Sequence, residues 1–141
     1  MTRDIKITVK GVQWDDTGNR DSTEITASGE YYFRNGSHYI FYEETDGDSG
    51  ERVKNSLKLK GNLLELNKKG MVNGRMVFET GKRHVTDYAT PYGILRMETE
   101  TSRIGLSEEA EGIRITLEYE LWMEQTRISV CELTMKLECA K

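Results

Sequence analysis

The amino-acid sequence predicts an all-β fold: an antiparallel sheet closed into a single barrel of about 8–10 strands in mostly up-and-down hairpin order. Two observations carry this. Apolar and polar residues alternate with period two almost throughout the 141 residues, and no segment forms a helical stripe. Turn-forming pairs also punctuate the chain at intervals of about 8–12 residues. Hairpin following hairpin favours a barrel over a sandwich of two sheets, which is the alternative architecture.

Along the chain, Ile5, Ile7 and Val9 alternate with Lys6, Thr8 and Lys10, and the apolar phase then moves to Val12 and Trp14. This change of phase across Gly11 predicts a bulge or bend there. Asp15 to Asp21 has turn chemistry. Ile25, Ala27, Gly29, Tyr31 and Phe33 share one face of the next strand, which ends at Asn35-Gly36, a pair that tolerates positive φ at both positions. A two-residue turn there sets Phe33 opposite His38, Tyr31 opposite Ile40, Gly29 opposite Tyr42 and Ala27 opposite Glu44. Small residues thereby face large polar-tipped ones on the inward side.

Glu43 to Glu51 reads as an acidic turn, and its Asp46–Glu51 part lacks the ligand spacing of a calcium loop. Val53, Asn55, Leu57 and Leu59 alternate up to Gly61-Asn62. Across that turn Leu59 meets Leu64 and Leu57 meets Leu66, while Lys58 meets Glu65 on the other face. Val72 to Glu79 forms a strand that turns at Thr80-Gly81 into Lys82 to Ala89. Thr90-Pro91-Tyr92-Gly93 suits a type I turn. Ile94 to Ile104 is extended, and Gly105 to Gly112 reads as an acidic loop. Ile113, Ile115, Leu117, Tyr119, Leu121 and Met123 alternate cleanly, and the last strand changes phase between Val130 and Cys131, which predicts a second bulge.

Composition narrows the functional classes. A chain of this length buries a substantial core without metal or disulfides, and one domain spanning 1–141 is expected. The first residues carry no apolar h-region and no stretch approaches a spanning helix, so a cytoplasmic protein without a membrane segment is expected. Cys131 and Cys139 fall on one predicted strand, roughly 26 Å apart at the usual rise, too far for a disulfide. With only His38 and His84 besides, no zinc spacing occurs, and neither a metal nor a cofactor is predicted. The net charge of −4 divides unevenly: residues 52–103 hold 11 basic and 5 acidic side chains, and both flanking segments are acidic. The middle strands therefore form a basic region on a chain that is otherwise acidic.

The stretch Met76-x-Phe78-x-x-Gly81 followed by Tyr88-x-Thr90-Pro91-Tyr92-Gly93 resembles the YwiB-like domain-of-unknown-function family of bacterial proteins. The Ile5 to Gly11 segment, Gly29-x-Tyr31 and Tyr39-x-x-Tyr42-Glu43-Glu44 are similar as well, so the resemblance spans nearly the whole chain. It implies a calycin-like barrel related in shape to lipocalins and fatty-acid-binding proteins, and supplies neither an activity nor catalytic residues.

The candidate site is His38, Tyr42 and Glu44 beside Gly29 and Ala27, a set of polar groups turned into the barrel where small partners leave room. Tyr88 and Tyr92 are candidates to gate a barrel mouth. No phosphate loop, Ser-His-Asp pattern or Cys-x-x-Cys is present, so no catalytic residue is named. The leading expectation is a non-catalytic protein that binds a small apolar or amphipathic ligand in or at the mouth of the barrel. Next comes an interaction or regulatory module that uses an outer face or barrel end, whose protein partner would be lost on charge reversal at Lys58, Lys60 and Lys68. An enzyme or a nucleic-acid binder ranks lower.

Overall fold

The computed structural model describes residues 2–45 and 50–140. Among the described residues, ten antiparallel strands form a nearly closed barrel and no helix occurs: β1 (Thr2–Trp14), β2 (Arg20–Arg34), β3 (Ser37–Thr45), β4 (Arg52–Lys60), β5 (Leu63–Gly70), β6 (Gly74–Glu79), β7 (Arg83–Thr90), β8 (Gly93–Glu109), β9 (Gly112–Met123) and β10 (Thr126–Cys139). They follow the order β6-β5-β4-β3-β2-β1-β10-β9-β8-β7. Each strand pairs with its sequence neighbours except at β6 and β7, and the first and last strands pair with each other. No helix among the described residues is long and apolar enough to cross a membrane.

Inward residues form one continuous core. Ile7, Ile40, Leu57, Leu64, Ile115, Leu117 and Met135 are fully buried, and each contributes about 1.5–3 kcal/mol of burial free energy before the cost of ordering the chain. The predicted hairpin registers hold: Phe33 pairs with His38 and Gly29 with Tyr42, Leu57 with Leu66, and Lys58 with Glu65. Asn35 and Gly36 both take positive φ, at 53° and 79°, as a tight turn between twisted strands requires.

Four expectations need correction. There is no bulge at Gly11, because β1 pairs without a shift with both β2 and β10. The apolar phase change instead carries Val12 and Trp14 to the opposite face, where Trp14 is paired with Val130. The second bulge lies between Arg127 and Ser129, earlier than the change at Cys131, and leaves Ile128 and Val130 exposed. Gly105 to Glu109 is strand, not loop: Leu106 pairs with Ile115 and Glu108 with Ile113. Its acidic residues project past the core, where both faces of a strand are wet. A further bulge, between Thr101 and Arg103, bends this long β8. Of the acidic turn expected over Glu43–Glu51, Glu43 to Thr45 instead belong to β3, and residues 46–49 lie outside the described residues.

The barrel closes between β6 and β7–β8 without a ladder. Asn73 and Ala89 exchange backbone hydrogen bonds of 2.9 and 2.8 Å, and Gly81 N–H donates to Thr101 O at 2.9 Å. Between these points two buried hydroxyls take the place of amide donors. Thr86 Oγ1 donates to Arg75 O at 2.8 Å, and Thr99 Oγ1 donates to Val77 O at 3.1 Å. The Tyr88 ring lies flat against Gly74, where a Cβ would stand 2.0 Å from the ring. Edge carbonyls of β6 are thus satisfied by side chains, which also protects the edge from pairing with another chain.

Thr86→Val and Thr99→Val should each lower stability by about 1 kcal/mol in urea unfolding, because each removes a part-buried hydrogen bond to a β6 carbonyl. Thr101 Oγ1 is buried with no hydrogen-bond partner, so Thr101→Val should be neutral or stabilising in the same assay.

Candidate functional site

A polar inclusion interrupts the apolar interior on one registered row of residues. Gly29 of β2 pairs with Tyr42 of β3, Tyr42 with Asn55 of β4, Asn55 with Lys68 of β5, and Lys68 with Gly74 of β6. Glu44 lies two residues beyond Tyr42 on the same face of β3. Its Oε2 accepts from Asn55 Nδ2 at 2.9 Å and from Lys68 Nζ at 3.0 Å, and Lys68 Nζ also donates to Asn55 Oδ1 at 2.8 Å. Asn55 is 2% exposed; the Glu44 and Lys68 side chains are 33% and 21% exposed. Both contacts to Glu44 fall on one oxygen, and Oε1 takes part in neither.

Two tyrosines flank this inclusion. Burial, with the Glu44 carboxylate nearby, pushes the Tyr42 and Tyr88 hydroxyls far above their ordinary value, so both remain neutral donors. The Tyr88 hydroxyl is buried and has no partner among the described residues. A buried donor left unsatisfied within the field of a carboxylate is uncommon, because burying a polar group without a partner costs free energy.

An opening leads to Glu44. The β2–β3 ladder stops at Gly29 and Tyr42, so the expected pairing of Ala27 with Glu44 does not form. The gap is a cavity of about 550 Å³ lined by Ile25, Ala27, Ser28, Glu44 and Thr45 among others. Gly29 does not leave interior room for Tyr42, as expected from its size. A Cβ on it would stand 2.4 Å from Phe41 O, so its smallness is used by the close approach of the β3 backbone.

The remaining sequence-predicted residues lie elsewhere. His38 sits six residues from Glu44 along β3, about 20 Å away at the usual rise. It shares a hydrogen bond of 2.8 Å between its Nδ1 and the Tyr31 hydroxyl. Desolvation lowers its pKa, and Glu108 opposes that shift. Tyr92 occupies the tip of the β7–β8 turn and is 99% exposed. Lys68 turns inward to Glu44, away from the face that carries Lys58 and Lys60. From sequence, Asn55 is not named as a site residue, and Lys68 is placed on an outer face with Lys58 and Lys60 rather than in the interior site. Their signal was present nonetheless, since each is a polar residue at an inward position of a strand whose other inward residues are largely apolar.

The fold and this site define a class: an up-and-down antiparallel barrel with an apolar core, one polar inclusion, and among the described residues no cluster of His, Cys, Asp and Glu fit to hold a metal ion. Residues 7–135 match the family described as a domain of unknown function, DUF1934, and the chain belongs to that family. It is 28% identical over 134 residues to the uncharacterized beta-barrel protein YwiB of Bacillus subtilis (strain 168), covering 95% of this chain and 92% of that protein. The crystal structure of the ywiB protein from Bacillus subtilis superposes with a TM-score of 0.87 at 26% identity, over 99% of this chain and 94% of that one.

A double-mutant cycle of Glu44→Gln and Lys68→Met should give a coupling of about 1 kcal/mol, held down by the partial solvent access of both groups. The His38 imidazole should titrate below its ordinary 6.5 in an NMR pH series. A lowered histidine pKa means the unfolded chain takes the proton first, so stability is intact above about 6.5 and falls as pH drops through the folded value. His38→Phe should flatten that acid limb.

Proposed function

We propose that the chain is a non-catalytic barrel that binds a small, partly apolar molecule at the β2–β3 opening. The observation that carries this reading is the buried, unpartnered Tyr88 hydroxyl, which feels the Glu44 carboxylate. A ligand acceptor reaching Tyr88 would satisfy that donor, and Glu44 Oε1 supplies an acceptor for a ligand donor. Ile25 and Ala27 offer an apolar wall at the entrance. The ligand sits at the mouth, because large apolar side chains fill the middle of the barrel. Tyr42 and Tyr88 line its inner end in this reading, whereas His38 and Tyr92 belong to other parts of the surface. Kinship in shape with lipocalins agrees with such a role as analogy only.

A second reading is favoured by one feature. The tip of the β7–β8 hairpin exposes Tyr92 and Ile94, at 99% and 77%. Such an apolar tip suits a protein partner.

Screening the protein by thermal shift and native mass spectrometry against a library of amphipathic small molecules tests the first reading. It predicts hits that are lost in Glu44→Ala and weakened about tenfold in Tyr88→Phe, a change worth about 1.4 kcal/mol. Tyr88→Phe should itself leave the unliganded protein as stable or more so, since it removes an unsatisfied donor. Hits that survive both substitutions would refute the mouth as the site.

A further inference from the structure

The outer face of β2–β6 carries a groove independent of the mouth. It runs across the strands outside the row from Gly29 to Gly74 and encloses about 940 Å³. Glycine stands at both ends of that row, Gly29 close against the β3 backbone and Gly74 close against Tyr88. Strands that twist around a barrel give its wall a waist, and such a waist is concave along the barrel axis.

The outward residues of the groove are polarised. At the β4–β6 end stand Lys54, Lys69 and Arg75, while Phe41, Ser56 and Asn67 form the floor. Lys54 and Lys69 are direct cross-strand partners on this face. Side chains so placed have Cβ atoms about 5 Å apart, and like charges in that position repel. Neither ammonium has an ion pair among the described residues. Glu43 lies opposite Lys54 on the other side, but its carboxylate is turned to Arg52 at 3.9 Å. Arg75 is engaged by Glu65. Glu30 lies at the far, β2 end of the groove.

The aromatic component is also ordered. Tyr32 stacks on Tyr39 at 4.8 Å between centroids and on Phe41 at 5.8 Å, and Lys58 sits 5.7 Å from the Tyr39 centroid. Phe41 is the member of this column that lines the groove. A flat apolar body thus has a ring to pack on, in the same groove as two ammonium groups that form no ion pair among the described residues.

We infer that this outer groove is a binding site for a mononucleotide-sized anion, its phosphate or carboxylate held by Lys54 and Lys69 and its flat ring packed on Phe41. The volume suits such a molecule, since small-molecule sites span about 300–1,000 Å³. An anion between the two lysines converts their repulsion into attraction. Asn55 and Lys68 line the groove as well as joining the inclusion, but Lys54, Lys69 and Phe41 take no part in the mouth, so variants at those residues test this site separately.

The test is NMR titration of the full-length protein at low ionic strength with 1-naphthyl phosphate, 1-naphthoate, 1-naphthol and inorganic phosphate. The inference predicts saturable shifts at Phe41, Lys54, Ser56 and Lys69 with both naphthyl anions, and at least tenfold weaker binding of naphthol and of phosphate alone. The phosphate and carboxylate arms decide which head group is preferred. Lys54→Gln with Lys69→Gln should weaken binding at least tenfold while leaving thermal stability unchanged or raised, because the repulsion is gone. Tyr88→Phe should leave these shifts as they are, whatever it does at the mouth. Absence of saturable shifts with either anion at millimolar concentration would overturn the inference, as would unchanged affinity in the double variant.

Discussion

The barrel depends on how the two ends of its sheet are joined. Ten strands in up-and-down order leave β6 and β7 as edges, and the chain between them is too short to carry either far from the other. An ordinary ladder would need both strands aligned over their length. Instead β6 crosses obliquely, bonded to Ala89 of β7 just before its start and reaching Thr101 of β8 just after its end. Between these points threonine hydroxyls reach carbonyls that amide groups do not. The hydroxyl is the right donor here, because it rotates to meet an acceptor whose direction the strand crossing has changed.

This seam links the architecture to the site. Tyr88 packs on Gly74 because β6 must approach β7 without a side chain between them. That contact fixes the ring, and the fixed ring carries its hydroxyl into the interior near Glu44. Glu44, Asn55 and Lys68 hydrogen-bond to one another, whereas the Tyr88 hydroxyl has no partner among the described residues. The polar groups tolerated in this core therefore sit where the closing strand, the splayed β2–β3 pair and the glycine row converge.

Much of the fold was legible in the sequence. Alternation assigned nearly every strand, and Asn35-Gly36 and Gly61-Asn62 fixed registers that place Tyr42 and Glu44 inward. Misreadings arose where one signal had two physical causes. A change of apolar phase marks either a bulge or a patch on the outer face, and Val12 and Trp14 belong to the second kind. Acidic residues mark either a loop or a strand that outruns the core, and Glu108 and Glu109 belong to the strand. Within the candidate site, Tyr42, Glu44 and Tyr88 could be named beforehand. His38 was grouped with them because it shares their face, although a strand separates residues on one face by several ångströms at each step. The partnership of Asn55 and Lys68 with Glu44 required the register of three strands together, beyond what one hairpin conveys. The seam left no sequence pattern, since a threonine that seals a barrel looks like any other strand threonine.

Amide hydrogen exchange resolved by residue tests the closure most directly. A shut seam predicts that the amides of Asn73, Gly81 and Ala89 exchange within about tenfold of those in the β4–β5 ladder, since all would open only with the barrel. Exchange at those three amides near the rate of an unstructured chain, with β4–β5 still protected, would show an open sheet and contradict the account.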